Sequence, residues 1–150
     1  MGTQQNLLIV LGVIIVGIAI YVGIQLYNQH QEDLILDQVD QLLINAAKSG
    51  IAHLAKPVEL GGCGNDLKLF RKQVKKKDYH WLPDASSAGE LLFIQRKFPK
   101  GFRVDVYPNN KEFRITTYLA RTKDVRRIQV QPSTGDMIIA GKKLKNNAFK

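Results

Sequence analysis

No charged side chain occurs before Glu32, although the sequence contains 22 basic and 13 acidic residues. Within this uncharged stretch, residues 7–27 read LLIVLGVIIVGIAIYVGIQLY, and Gln25 is their only strongly polar member. A helix of that length spans about 31 Å, the thickness of the hydrocarbon core of a bilayer. A lone segment in lipid must satisfy its own backbone hydrogen bonds, so it has to be helical. The segment predicts a membrane helix and argues against a fully soluble cytosolic enzyme.

A retained membrane helix fits this segment better than a cleaved secretory signal, which remains the alternative. No basic residue precedes the apolar run, and no small-x-small cleavage motif precedes the first acidic residues. Tyr21 and Tyr27 lie near its end, where aromatic residues favour the headgroup level. Neither flank carries the Lys and Arg bias that sets orientation. We expect a single-pass protein of the inner (cytoplasmic) membrane.

After Tyr27 the sequence keeps helical periodicity but becomes apolar on one side only. Gly50 is a soft spot in this pattern, and Pro57 disfavours helical geometry at Lys56. We predict one helix from about Asn6 to about Ala55. Its amphipathic stripe contains Ile35, Leu36, Val39, Leu42, Leu43, Ala46, Ala47, Ile51 and Leu54.

The glycine-rich stretch after Pro57 is predicted to be a linker. Gly61, Gly62 and Gly64 lack both the GKS/GKT ending and the GxGxxG spacing of phosphate-binding loops. Cys63 follows Leu60 and two glycines as in a lipidation box, but it lies far beyond the apolar segment.

Residues 67–82 combine a helical apolar face with a basic one. The apolar face holds Leu67, Phe70 and Val74. The basic face is a candidate anion-binding patch and consists of Lys68, Arg71, Lys72, Lys75, Lys76 and Lys77. Together with Tyr79, His80 and Trp81 it has the composition of a nucleic-acid surface with a stacking platform. The commoner alternative is a solvated helix face whose aromatic residues pack inside, and we expect packing for Trp81.

From Leu91 the period changes towards two, with turn residues between short apolar runs. This pattern predicts an antiparallel meander with one wet face. The predicted strands are Leu91–Phe98, Phe102–Tyr107, Phe113 to Leu119 or Ala120, Val125–Gln131 and Met137–Ala140, followed by a frayed tail.

The predicted fold class is α+β, with the long helix packed on the antiparallel sheet. Val39, Leu43 and Ala47 are expected to cover the apolar face of that sheet. The predicted parts are a transmembrane or filament-core helix over 1–28, its amphipathic continuation over 29–56, a Gly-rich and basic connecting region over 57–90, and a β-sheet head over 91–150.

A known family has this order of parts. The N-terminal segment MGTQQNLLIVLGVIIVGIAIYVGIQLY, followed by an amphipathic half and an antiparallel sheet, resembles the type IV pilins and pseudopilins. The resemblance implies a subunit that resides in the membrane and then bundles its helix into a filament core. The residues implied for that core are Leu7, Leu8, Leu11, Gly12, Ile15, Val16, Ala19 and Gly23.

The sequence departs from the pilin pattern at several positions. The family has a basic leader ending in Gly, whereas only Gly2 is available here and no basic residue precedes it. The family's acidic fifth residue corresponds to Gln5 counted from Met1, or to Leu7 counted after Gly2. Gln5 therefore marks the N-terminal assembly position without a carboxylate. The family's C-terminal disulfide loop is also missing, because Cys63 is the single cysteine.

The sequence contains no pattern that indicates catalysis. His30, His53 and His80 lack the spacing of zinc or haem ligands. Nothing in the sequence places Cys63 beside His80 as a nucleophile and base. We therefore expect no enzyme activity and no cofactor.

The leading functional hypothesis is a structural subunit that forms a surface filament, a helical homopolymer. The alternative is a single-pass, membrane-tethered extracytoplasmic domain that captures anionic ligands, DNA or acidic polysaccharide. The expected partners are further copies of the chain, the membrane, and an anionic polymer at the basic face. The expected location is the membrane first and then the cell surface.

Overall fold

The computed structural model describes residues 2–83, 99–119 and 124–143. Helix α1 is followed by a second helix and an antiparallel sheet, so the α+β class predicted from the sequence is correct. The elements are α1 (Gly2–Ala55), α2 (Leu67–Lys75), β1 (Phe102–Tyr107), β2 (Glu112–Tyr118), β3 (Asp124–Gln131) and β4 (Asp136–Lys143).

The chain divides into an N-terminal unit, Met1–Asp37, and a C-terminal unit, Gln38–Lys150, and the boundary falls inside α1. In the N-terminal unit, every described residue up to His30 is exposed. By length and composition, α1 is long and apolar enough to cross a membrane. The helix satisfies its own backbone there, but its apolar side chains still need lipid or protein around them.

The end of α1 agrees with the stop that Pro57 predicts. The chain then turns back, and the glycine-rich linker covers the last carbonyls of the helix. The backbone N–H of Asn65 donates to Leu54 O at 2.7 Å, and that of Gly64 donates to Lys56 O at 2.9 Å. A Cβ added at Gly62 would lie 2.1 Å from Lys56 O, so only glycine fits this approach. The linker therefore also caps α1.

Helix α2 begins with an aspartate cap and ends in lysines. The Oδ1 atom of Asp66 accepts a hydrogen bond of 2.8 Å from the backbone N–H of Lys68. This satisfies one of the free donors at the helix start. Phe70 and Val74 are buried, as the apolar face predicts. Just after the helix, Lys77 has a left-handed backbone with φ of 60°.

The sheet has the order β1-β2-β3-β4, and neighbouring strands are antiparallel. The register aligns apolar residues on one face. One row across the four strands contains Val104, Ile115, Ile128 and Ile139. Since Val104, Ile115 and Ile128 are buried, this face forms the floor of the core.

The amphipathic half of α1 lies against this apolar face. Val39, Leu43 and Ala47 are fully buried. On the same helical side, a Cβ built at Gly50 would lie 3.0 Å from Cζ of Phe113 on β2.

Gly50, which the sequence marks as a soft spot of the helix, lies close to the aromatic residues of the core. α1 continues through Gly50 without a break. An added Cβ would also lie 3.2 Å from Cζ3 of Trp81. Phe113 is fully buried and packs edge-to-face on Phe70 at 5.4 Å between ring centroids. The missing side chain lets these rings approach the helix.

We expect Gly50→Ala to destabilise the chain. Overpacking a core costs about 1–3 kcal/mol, whereas alanine gains about 1 kcal/mol of helix propensity over glycine. The rings cannot move away easily, so a net loss of about 1 kcal/mol is expected. Urea unfolding in a non-ionic detergent, followed by the fluorescence of the single tryptophan, measures it. Asn45→Ala on the exposed side of α1 is the control; a more stable Gly50→Ala chain contradicts the prediction.

The opposite face of the sheet is polar, but it is less exposed to solvent than expected. Glu112 is only 3% exposed, although it lies on that face. Its carboxylate accepts a 2.7 Å hydrogen bond from Arg114 Nη2 and another from Gln129 Nε2. The Arg114 guanidinium lies 4.7 Å from the ring centre of Tyr107. The long side chains of this face therefore bond to one another and cover its middle.

Two predicted segments lie wholly or partly outside the described residues. These are the strand Leu91–Phe98 and the frayed tail. Strand β4 extends to Lys143, three residues beyond the predicted end at Ala140, so the first three residues of the predicted tail belong to the strand. Gly141 pairs with Arg126 within the β3–β4 register, which explains why the glycine does not end the strand.

Candidate functional site

The apolar surface of the N-terminal unit is the first candidate site. Leu7 is 71% exposed and Val16 is 57% exposed. All the residues implied for a filament core are exposed, namely Leu7, Leu8, Leu11, Gly12, Ile15, Val16, Ala19 and Gly23. Gln5, at the assembly position, is exposed as well. Apart from the adjacent residues and the backbone of α1 itself, no described atom lies within 4 Å of a Cβ built at Gly12 or Gly23, so a neighbouring helix can approach closely there.

The one strongly polar side chain of the apolar run has its own partner. Gln25 lies one helical turn after Tyr21, and its Nε2 donates a 2.8 Å hydrogen bond to the Tyr21 hydroxyl. An amide without a partner costs several kcal/mol in a hydrocarbon medium, roughly 2–7 depending on the reference state. The pair lowers that cost near the end of the run.

The basic face of α2 is the second candidate site. Each of its six members is exposed: Lys68, Arg71, Lys72, Lys75, Lys76 and Lys77. Trp81, by contrast, is only 9% exposed, and its ring stacks on His53 with 6.0 Å between centroids. The buried position agrees with the packing expected for Trp81 and removes it as a stacking platform for bases.

Two of these basic residues line a cleft, a feature that the helical pattern does not reveal. Arg71 and Lys75 form one wall, and the residues Val104–Tyr107 of β1 lie beside them. The other wall is the turn Pro108–Asn110, and the volume is about 420 Å³. Val74, which lies between Arg71 and Lys75 in the sequence, also lines the cleft and is buried. The cleft exists because α2 packs on β1.

The acidic residue of the cleft is already paired. Asp105 Oδ2 lies 3.0 Å from Arg103 Nε in an ion pair on β1. Burial lowers the pKa of Arg103, but the charge and hydrogen bond of Asp105, together with the smaller contribution of Tyr118, raise that pKa overall. Within the part of the chain that the structure describes, no ion pair involves Arg71 or Lys75. The cleft is therefore positive overall.

A third cluster lies inside the C-terminal unit, and no spacing in the sequence indicates it. Gln73 Oε1 accepts hydrogen bonds from His53 Nε2 at 2.8 Å and from Cys63 Sγ at 3.1 Å. The His80 ring meets the His53 ring edge-on, with 4.9 Å between centroids. Gln73 and His53 therefore lie between Cys63 and His80, and none of these contacts joins the thiol directly to the His80 ring.

The chemistry of this cluster is structural. Cys63 is fully buried, and burial first, then the negative charge of Asp66, raises the pKa of its thiol. The cysteine is held as a hydrogen-bond donor, whereas nucleophilic attack requires the thiolate. Among residues 2–83, 99–119 and 124–143, no group of three His, Cys, Asp or Glu side chains is arranged to hold a metal ion.

We expect Cys63 to react slowly with alkylating reagents in the folded chain. Its burial and raised pKa lower the thiolate fraction, so labelling should be slower by at least an order of magnitude than in urea. Mass spectrometry after timed iodoacetamide treatment measures the rate. The unfolded thiol ionises at lower pH than the folded one, so the contribution of Cys63 to stability should decline as pH rises above the unfolded pKa. Equal labelling rates in buffer and urea would contradict the assignment.

No family model matches the chain, and neither a curated protein nor a solved structure matches it. The resemblance to type IV pilins therefore stays a prediction. The α+β class and the apolar helix rest on the geometry of the described residues.

Proposed function

We propose that the protein is a structural subunit of a surface filament, pilin-like in architecture. The N-terminal part of α1 holds the subunit in the membrane and later packs against the same helix of other copies. The observation that carries this proposal is the exposed apolar surface of α1 up to Tyr27. The polymer is built by helix packing and requires no cofactor.

The energetics of that surface support the proposal. Burying one Leu, Ile or Val side chain gains about 1.5–3 kcal/mol. The N-terminal unit exposes more than a dozen such side chains, including Leu7, Ile15 and Ile24. Water is therefore an unfavourable surrounding, and both lipid and a helix bundle are favourable ones. A helix that is stable in both surroundings can leave the lipid and join the helix bundle.

The burial of the C-terminal part of α1 also supports the proposal. Beyond Gln38 the same helix buries Val39, Leu43 and Ala47 in the C-terminal unit. One continuous helix thus carries an apolar polymerisation surface and the fixed core of a folded unit. When the N-terminal parts of such helices assemble, the C-terminal units attached to them are brought into the same polymer.

The test is to look for the filament. Cells that express the chain are sheared, the released material is imaged by negative-stain electron microscopy, and its protein is identified by mass spectrometry. We expect filaments in which this chain is the main component. Recovery of the chain in the membrane fraction alone, with no released polymer, would contradict the proposal.

A second candidate function is a membrane-tethered domain that captures anionic ligands. The observation that favours it is the exposed basic face of α2 with its positive cleft. The two candidates differ in the fate of α1, which stays in lipid in a tethered domain. Extraction at alkaline pH separates them, because an embedded helix remains with the membrane and a sheared filament does not.

A further inference from the structure

The cleft beside α2 differs from the rest of the basic face in its walls. Arg71 and Lys75 are one helical turn apart, which places their Cβ atoms about 5–6 Å from each other. Asn109 and Asn110 line the same cleft, and both are exposed. Lys68 and Lys72 belong to the same helix but do not line the cleft. The cleft thus combines two cationic side chains from α2 with two neutral amide side chains from the turn after β1.

This combination of cationic and amide side chains fits a small ligand that carries one anionic group and several hydroxyl groups. The guanidinium of Arg71 offers parallel N–H donors that match a carboxylate in two-point geometry, and Lys75 adds a point charge. Amide side chains both donate and accept, as sugar hydroxyls require. The volume of about 420 Å³ lies within the range of small-ligand sites.

Nucleic acid fits the cleft less well. Single-stranded binding sites use aromatic faces on which bases stack. Trp81 is buried, and the Arg114 guanidinium lies over the ring of Tyr107, the aromatic residue among those lining the cleft. Charge alone would then hold DNA, without preference for the cleft over the rest of α2.

We propose that this cleft binds a uronic-acid residue of an acidic polysaccharide. Arg71 and Lys75 bind the sugar carboxylate, and Asn109 and Asn110 bind its hydroxyl groups. The proposal deepens the second candidate function and rests on its premise that the C-terminal unit binds anionic ligands. It is compatible with a filament, whose surface would then carry one such cleft in each subunit.

The test uses the full chain in a neutral, non-ionic detergent at low salt. Oligogalacturonate of defined length is titrated by isothermal calorimetry into the wild type and two double variants. The first variant, Arg71→Gln with Lys75→Gln, alters the cleft. The matched control, Lys68→Gln with Lys72→Gln, removes the same charge from the same helix outside the cleft. All four side chains are exposed, and an unchanged thermal midpoint of tryptophan fluorescence verifies folding.

We expect the cleft variant to lose at least about tenfold in affinity, because hydrogen bonds to a charged group are lost. The control should lose about threefold or less, because Lys68 and Lys72 attract the polyanion without bonding to the carboxylate in the cleft. A repeat at about 0.15 M salt, where the Debye length is about 8 Å, should reduce the loss of the control more than that of the cleft variant. Arg71→Lys keeps the charge but loses the two-point geometry, so its affinity should lie between wild type and the cleft variant. Asn109→Ala with Asn110→Ala should weaken binding about threefold with no change of net charge.

Other outcomes overturn the proposal in distinguishable ways. Equal losses in the two double variants would show diffuse electrostatic binding, and the second candidate function would survive without a defined cleft. Tighter binding of single-stranded DNA of equal charge, with the same dependence on Arg71 and Lys75, would replace the sugar by nucleic acid. No binding of oligogalacturonate, heparin or DNA at low salt would remove the second candidate function as well.

Discussion

Val16→Arg should abolish filament formation. Val16 lies in the middle of the apolar run and is 57% exposed, so under the proposed function its side chain faces lipid or a neighbouring helix. Arginine at the centre of a membrane helix costs about 2.5–3.5 kcal/mol for insertion. The same charge would be buried without a partner in a helix bundle, where an unpaired ion costs several kcal/mol, of order 3–5. Electron microscopy of sheared material should show no polymer.

Val16→Leu is the matched control, because it keeps the apolar character and adds only one methylene group. It should form filaments at wild-type levels. Membrane fractionation accompanies the imaging, so that loss of polymer is separated from loss of insertion. Normal filaments from Val16→Arg would exclude this part of α1 from a dry interface and contradict the proposed function.

Leu43→Ala should lower the free energy of unfolding by about 2–5 kcal/mol, the range for fully buried leucines. Leu43 has no exposed surface, and it lies on the same side of α1 as Gly50. Removing its side chain leaves a cavity between the helix and the sheet. The change is large against the usual stability of a domain, about 5–15 kcal/mol. Urea unfolding of the full chain in a non-ionic detergent, followed by Trp81 fluorescence, measures it.

Leu69→Ala on α2 is the control, because Leu69 is 38% exposed. It should cost about 1 kcal/mol or less, since part of the side chain stays in water in the folded state. A loss below about 0.5 kcal/mol at Leu43 would contradict its burial in the core. The amphipathic stripe would then face neighbouring subunits.

The elements of the fold were predictable where the signal is local. The stop at Pro57 and the alternation in β1 and β3 depend on a few adjacent residues, and the structure agrees with them. The role of Gly50 was not predictable, since it arises from contact with Phe113, far along the chain. Hydrophobic periodicity and helix propensity are properties of one element, whereas the close approach of Gly50 to Phe113 depends on the packing of two elements.

The candidate sites also divide into features that a local sequence pattern predicts and features that depend on packing between elements. Exposure of the basic face of α2 follows from its own amphipathic pattern, and it was predicted. The separation of Arg71 and Lys75 from Lys68 and Lys72 depends on how α2 docks on β1, which no helical pattern specifies. The shared acceptor of His53 and Cys63 also requires Gln73, which the sequence does not distinguish from any solvated glutamine.

If copies of the chain assemble, the lysine in the turn just after α2 would limit how close neighbouring copies can come. Lys77, like Lys111 between β1 and β2, is exposed and adopts a left-handed backbone that glycine would adopt without strain. A non-glycine residue in that conformation costs of order 1 kcal/mol. Both positions thus combine a strained backbone with an ammonium group that is costly to dehydrate. In any assembly of these chains, both turns are therefore expected to stay hydrated, so dry contacts between neighbours must form on other surfaces.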